Sequence, residues 1–344
     1  MTSVLALSIP YWGQTIIKVV LVLIAVPTAT ALIVQTFLFK VMAHMQSRLG
    51  PMEAGPHGSL QLMADGGKFM QKELIAPTNA DRRVFVLAPV IVLISTFMLY
   101  VVIPAGPGAV GENLDTGIFF ALAVSSLSVI GILAAGWASA NKYSLIGGLR
   151  AAGQLIAYEL PLVLAVVGVV MMAGTLSLQG IVHAQAGFHL FGSHVVVPFV
   201  LPQLVGFVLF LVAAQAELTQ TPFDMPIAES ELVAGYQTEY SGLLFLFFYI
   251  GEFGTAFGLA AIASTLFLGG WWIPLYHPTG LWGDLFGFAV LFAKTMAVSF
   301  LIFWIRFTYP RFREDQLQSF AWKVLIPVAL VNVLATAAFK VVIG

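Results

Sequence analysis

A chain of 344 residues in which 60% are hydrophobic and only 9% charged, against about 25% charged in an ordinary soluble domain, reads as an integral membrane protein, as does its mean hydropathy of +0.96. The 15 basic and 16 acidic residues nearly cancel and form no basic stripe to meet phosphate, so a nucleic-acid partner is not expected. With no cysteine there are no disulfides, cysteine-ligated iron–sulfur clusters or thiolate zinc sites, and a redox centre must belong to another chain or to a diffusible ligand.

Apolar runs of about 20 residues, the length that crosses a hydrocarbon core, fall near 16–37, 84–103, 117–138, 154–174, 195–214, 242–267, 285–305 and 322–343. The pattern predicts an all-α integral membrane protein with eight transmembrane helices in one polytopic domain, 1–344. The first run has no basic residue before Lys18 and is too long for a signal peptide, so it is read as a retained helix. After it, Leu60, Met63, Phe69, Met70 and Leu74 interleave with Gln61, Asp65, Lys68 and Lys72 at a rough helical period. That pattern predicts an amphipathic interfacial helix.

Orientation follows from the basic residues of the connections. The loop after the first span holds Lys40, Arg48, Lys68, Lys72, Arg82 and Arg83, that after the third Lys142 and Arg150, and that after the seventh Arg306, Arg311 and Arg313. The segment before Lys18 and the loops after the second, fourth and sixth spans hold none. The bias predicts a multi-pass protein of the inner (cytoplasmic) membrane with both termini on the periplasmic side.

The connection at 215–240 breaks the pattern. It lacks Lys and Arg but carries Glu217, Asp224, Glu229, Glu231 and Glu239. Pro222 and Pro226 argue against one continuous helix, and Phe223, Tyr236 and Tyr240 argue for a packed loop. Inside predicted spans lie Glu159, Glu252 and Lys294. Ionisable groups at membrane depth are costly and mark proton or ion paths by default; the alternative is a Glu and a Lys that neutralise each other to hold helices together. Three motif matches are set aside. Gly106, Gly108 and Gly111 spell a dinucleotide fingerprint without a βαβ unit, Ser139 to Lys142 spells S-x-x-K at a helix end, and His183, His189 and His194 have no metal-ligand spacing.

Four stretches carry a family resemblance. Gly136 to Pro161 (GWASANKYSLIGGLRAAGQLIAYELP), Ala216 to Gly242 (AELTQTPFDMPIAESELVAGYQTEYSG), Trp304 to Leu317 (WIRFTYPRFREDQL) and Gln46 to Glu73 together closely resemble the H subunit of respiratory complex I, the proton-pumping NADH:quinone oxidoreductase. The resemblance implies a membrane subunit without catalytic activity of its own, which forms much of the quinone chamber and couples quinone reduction to proton translocation. It implies quinone as substrate, no iron–sulfur cluster or flavin on this chain, and as partners the other complex I membrane subunits, the peripheral iron–sulfur subunits and the lipid bilayer. It assigns Arg48, Asp65, Phe223, Arg306 and Arg313 to quinone binding. It assigns Glu159, Glu217, Asp224, Glu229, Glu231 and Glu252 to an acidic proton path, with Arg150 as cationic partner, and Lys294 joins that path from its place inside a span. Related helices also occur in membrane-bound hydrogenases and antiporter-like complexes without quinone; the full acidic loop and Arg306 to Arg313 favour the quinone enzyme.

The sequence departs from the family pattern where Leu38 and Phe39 replace a Glu-Arg pair, Gln220 an Arg and Ile227 an acid. Two acids and two bases are lost together, so Gln220 and Ile227 are expected to adjoin in the folded acidic loop as a neutral replacement for one ion pair.

Overall fold

The computed structural model describes residues 10–188, 196–274 and 280–343, and over them the chain is all-α. Helix α1, Tyr11–Ile33, continues through a π-helical stretch, Val34–Val41, into Met42–Met45. Next come α2 (Gln61–Gln71), α3 (Arg82–Val101), α4 (Gly117–Ala138), α5 (Lys142–Ala173), α6 (Leu178–Ala186) and α7 (Leu204–Glu217). A one-turn α8 (Glu229–Leu232) leads to α9 (Gly242–Phe267) and α10 (Gly280–Thr308), and α11 (Glu314–Phe320) runs through a π-helical turn, Ala321–Leu325, into α12 (Ile326–Ile343).

Seven helices among the described residues are long and apolar enough to cross a membrane, and α7 is a shorter apolar helix. The predicted fifth span at 195–214 thus becomes the 14-residue α7, about 21 Å long against a hydrocarbon core of roughly 30 Å. Pro198 and Pro202 keep the preceding residues out of the helix. Non-helical backbone at this depth is tolerated because it is buried in protein: Gln203 donates to Thr336 (2.6 Å) and accepts from Asn332 (3.0 Å), and the Val200 amide donates to the Phe267 carbonyl (2.8 Å).

Helix α5 starts twelve residues before the predicted fourth span. Asn141 caps it by accepting from the Tyr143 amide (2.8 Å), and Gly148 packs directly on Gly136 of α4, where a side chain would strike backbone. Its glycines are therefore contact points between helices and not breaks, and Arg150 sits on a helix. The predicted interfacial helix is α2, which turns Met63 and Met70 outward and stacks Phe69 on Phe245 of α9 (5.7 Å).

The loops rich in Lys and Arg share one end of the bundle, termed here the basic face. At the other end two lysines cap helix C-termini, where carbonyls lack partners and the dipole favours a cation. Lys294 donates to the carbonyls of Leu268 (2.7 Å), Gly270 (2.9 Å) and Trp272 (2.7 Å) just beyond α9. Lys340 donates to Met171 and Met172 at the end of α5. The main core runs through α5, α7, α9 and α10; a second cluster at the basic face joins Phe85, Ala151, Tyr236, Tyr240 and Phe248.

Candidate functional site

One face of α5 organises the basic face. Gly147, Arg150, Gln154 and Tyr158 recur at helical spacing, so all four point the same way, and each meets the acidic loop or its neighbour. Gly147 touches the backbone of Gly235, which has φ +55°; a side chain on Gly235 would collide with the Pro226 carbonyl. Arg150 pairs with Glu231 (2.6 Å) and with Glu314 of α11 (3.5 Å). The buried Gln154 amide donates to the carbonyls of Ala216 (2.7 Å) and Phe223 (2.8 Å). Tyr158 packs edge-on against Phe223 (5.2 Å between ring centres) and donates to the Leu317 carbonyl (3.0 Å).

Pro310 follows the end of α10, and the next residues lie against the same loop. The Phe312 amide donates to the Pro222 carbonyl (3.0 Å), the Phe312 ring meets Phe223 (5.6 Å), and Arg311 pairs with Asp224 (2.9 Å) and donates to Ser230 (3.3 Å). Three of the stretches singled out in sequence, at 136–161, 216–242 and 304–317, therefore form one structural unit. Its surface is a groove of about 1070 Å³ bordered by Arg150, Glu229, Glu231, Arg311, Arg313 and Glu314. Burial pushes the Asp224 carboxyl above its usual range, with Arg311 and Arg306 pulling the other way. The Tyr236 and Tyr240 hydroxyls are also pushed up by burial, so both stay neutral; Tyr240 donates to the Phe85 carbonyl (3.0 Å) and Tyr236 accepts from the Gln237 amide (3.1 Å).

Deeper in the bundle, Glu252 of α9 accepts from Arg306 of α10 (3.5 Å) and from the Gln220 amide (3.4 Å). The Arg306 guanidinium also lies over the rings of Phe253 (5.4 Å), Phe307 (5.9 Å) and Phe303 (6.0 Å), which favours a cation there. Glu217 ends α7 with its Oε2 buried and without a hydrogen-bond partner among the described residues; Ser125 of α4 and Glu159 of α5 are its polar neighbours. Glu159 in turn lies beside Ser126, on a helix face that exposes Ile156 and Leu160.

A second cavity, about 510 Å³, opens between α1, α2 and α9. Its wall includes Thr30 and Phe39 from the first helix, Asp65, Lys68 and Phe69 from α2, and Tyr249 from α9. Asp65 accepts from Gln61 (3.1 Å) and pairs with Lys68 (2.7 Å). The Tyr249 ring contacts Phe253 (4.6 Å), so a continuous line of side chains joins this cavity to Arg306 and Glu252.

The predicted residues thus fall into distinct places. Glu217 and Glu159 form one acidic pair, Glu252 and Asp224 lie on arginines, and Glu229 and Glu231 face the open groove. Asp65 lines the cavity, whereas Phe223 is a packed core residue. Arg48 is bonded locally to Gln46 (2.8 Å) and Arg313 to Asp315 (3.0 Å) on the surface. Lys294 stands apart: from Glu252 to Leu268 is sixteen residues of α9, about 24 Å of helix, and all three of its donors are committed to carbonyls. Among the described residues Lys294 therefore neutralises neither Glu159 nor Glu252. Gln220 turns to Glu252, which Arg306 also meets, while Ile227 packs on the Phe85–Tyr236 cluster. His189 and His194 lie outside the described residues.

Arg311, Gln154 and Tyr249 were not singled out in sequence. Gln154 had a signal, as a polar residue one turn before Tyr158 and Glu159 in an apolar run; Arg311 was visible only as one of several loop charges, and Tyr249 as one of many aromatics.

A family model described as NADH dehydrogenase matches residues 17–337. The chain is 43% identical over 339 residues, 98% of its length and 97% of the relative's, to a Brevibacillus brevis protein named as the H subunit of NADH-quinone oxidoreductase. It is 48% identical over 303 residues, 88% of its length and 86% of the relative's, to a protein of the same name from Bacillus thuringiensis subsp. konkukian.

Proposed function

Because the chain belongs to the NADH dehydrogenase family, that of the H subunit of NADH-quinone oxidoreductase, we propose that this multi-pass protein admits a membrane quinone and couples its reduction to proton translocation. The single observation that carries the reading is the contact line from the α1–α2–α9 cavity through Tyr249 and Phe253 to Arg306 and Glu252. A lipid-soluble quinone enters this cavity from the bilayer side of α1 and α2. Electrons reach it from a partner subunit, because this chain has no cysteine to hold a cluster.

Reducing a quinone in a desolvated chamber creates charge that nearby groups must compensate by moving protons or shifting position. Beyond Asp65 in the cavity wall, Arg306 and Glu252 come next along the contact line, Asp224 and Arg311 beside them, and Glu217 and Glu159 continue the acidic series toward the lipid-facing side of α5. There the partly exposed Glu159 needs a polar group from a second membrane subunit to cover it, since an uncovered carboxyl in lipid is costly. The groove around Arg150, Glu231 and Arg311 is the surface offered to the peripheral subunits. In this reading the basic face is cytoplasmic and both termini lie on the other side of the inner membrane.

The test is to fill the cavity. Ala31→Trp, on the α1 wall, is expected to lower quinone reduction by the assembled enzyme at least about tenfold, while electron transfer from NADH to a water-soluble acceptor stays normal. Unchanged quinone kinetics in an assembled variant would remove the cavity from the mechanism.

A further inference from the structure

A second face of α1 borders another cavity. Pro27, Thr30, Ala31 and Val34 face the cavity discussed above, whereas Lys18, Val22, Ala25, Ala29 and Leu32 line one of about 410 Å³ on the other side, closed by α9, α10 and residues of the 105–111 turn. These two residue sets lie on opposite faces of one helix at 3.6 residues per turn. This 410 Å³ cavity is within the usual size of a small-molecule site, and such sites are mostly apolar with a few placed polar groups.

Its wall has that character. Tyr100, Phe257, Phe292 and Phe288 form a run of ring contacts with centres 6.3, 6.3 and 6.2 Å apart, and Tyr100 spends its hydroxyl on the Gly254 carbonyl (2.8 Å). Lys18, at the rim, is already paired with Glu112 (3.1 Å). Thr295 of α10 is the exception. The hydroxyls of Thr28, Thr30, Thr96, Thr265, Thr308 and Thr336 each donate to the carbonyl four residues back in their helix. Thr295 is 1% exposed, lines the cavity, and its hydroxyl has no hydrogen-bond partner among the described residues. Buried hydroxyls are nearly always satisfied; those of Ser144 and Ser299 are also unpartnered among the described residues, but of the three Thr295 alone lines this cavity, where a bound molecule can supply the partner.

We propose that this cavity is a second binding site for a lipid-soluble quinone, with the rings of Phe257 and Phe292 against the quinone ring and Thr295 donating to a ring carbonyl. A planar ring suits an aromatic wall, its carbonyl accepts from Thr295, and an apolar tail leaves into the bilayer past the exposed Ile24 and Phe288. A plain acyl chain would fill the same wall and leave Thr295 unsatisfied. The site rests on the reading of quinone as the enzyme's substrate, and it is separate from the Asp65 cavity.

The experiment uses the assembled enzyme in lipid vesicles and an azidobenzoquinone with a decyl tail, with adducts mapped by peptide mass spectrometry after illumination. Adducts between Phe288 and Thr295 or at Phe257 are expected, displaced by excess decylbenzoquinone. Thr295→Val, which keeps the shape and removes the hydroxyl, should lower them about five- to tenfold, the worth of one hydrogen bond. Ala29→Trp, which fills the cavity from α1, should abolish them, and both variants should keep adducts at the Asp65 cavity. Three results would overturn the proposal: adducts at the Asp65 cavity alone, α10 adducts that decylbenzoquinone does not displace, or adducts indifferent to both substitutions. If wild-type enzyme reduces quinone yet α10 is unlabelled, only this proposal fails; if it reduces no quinone, the reading beneath it fails as well.

Discussion

Lys294→Met separates two roles for a lysine at membrane depth. In the structure the ammonium gives all three protons to the carbonyls of Leu268, Gly270 and Trp272 at 2.7 to 2.9 Å. Hydrogen bonds to charged groups contribute about 1.5 to 3 kcal/mol each, and a buried acceptor left bare costs about 1 to 3 kcal/mol. The three share one donor group and are not additive, so a combined loss of about 3 to 6 kcal/mol is expected. That is a large fraction of the stability of one domain. The variant should therefore assemble poorly and unfold at lower temperature, followed by native gel and by thermal melting of the purified enzyme. Whatever enzyme does assemble should pump the wild-type number of protons per quinone. Normal assembly and melting with lost pumping would refute the capping argument and return Lys294 to the proton path.

Three further outcomes follow from the geometry of the basic face. Arg311→Ala leaves Asp224 without its ion pair; both side chains are partly exposed, so the cost is about 1 to 3 kcal/mol, and adding Asp224→Asn should recover part of it in thermal melts. Because burial raises the Asp224 carboxyl in the folded state, its ionisation opposes folding: wild-type stability should fall as pH rises from about 3.9, the unfolded value, through the higher folded one, and Asp224→Asn should flatten that segment of the melting-temperature profile. A cysteine at position 110 should react with an impermeant thiol reagent from outside intact cells and one at position 65 should not; the reverse would invert the topology.

The fold was legible because lipid imposes a coarse rule: each crossing must be a long apolar helix, and composition alone reveals it. The rule failed where protein replaces lipid. Helix α7 is short because Pro198 and Pro202 delay it and Gln203 finds partners on α12, and α5 is long because its glycines meet Gly136 and Gly235 backbone. The acids of the site were legible for a related reason, as charges that an apolar chain keeps only at a cost. Their partners were not. Which arginine meets Asp224, or that Gln220 faces Glu252 while Ile227 joins an apolar cluster, depends on how three distant segments pack. Lys294 shows the limit from the other side, since a lysine that caps a helix and one that carries protons look alike in a sequence.

The central claim, that quinone reduction drives protons through these acids, is tested most directly by proton pumping in proteoliposomes reconstituted with enzyme carrying Glu217→Gln, and separately Glu159→Gln and Glu231→Gln. Each change keeps size and removes the titratable charge. Assembly is expected to survive while quinone reduction coupled to pumping falls in all three; normal pumping at normal turnover in all three would contradict the acidic path.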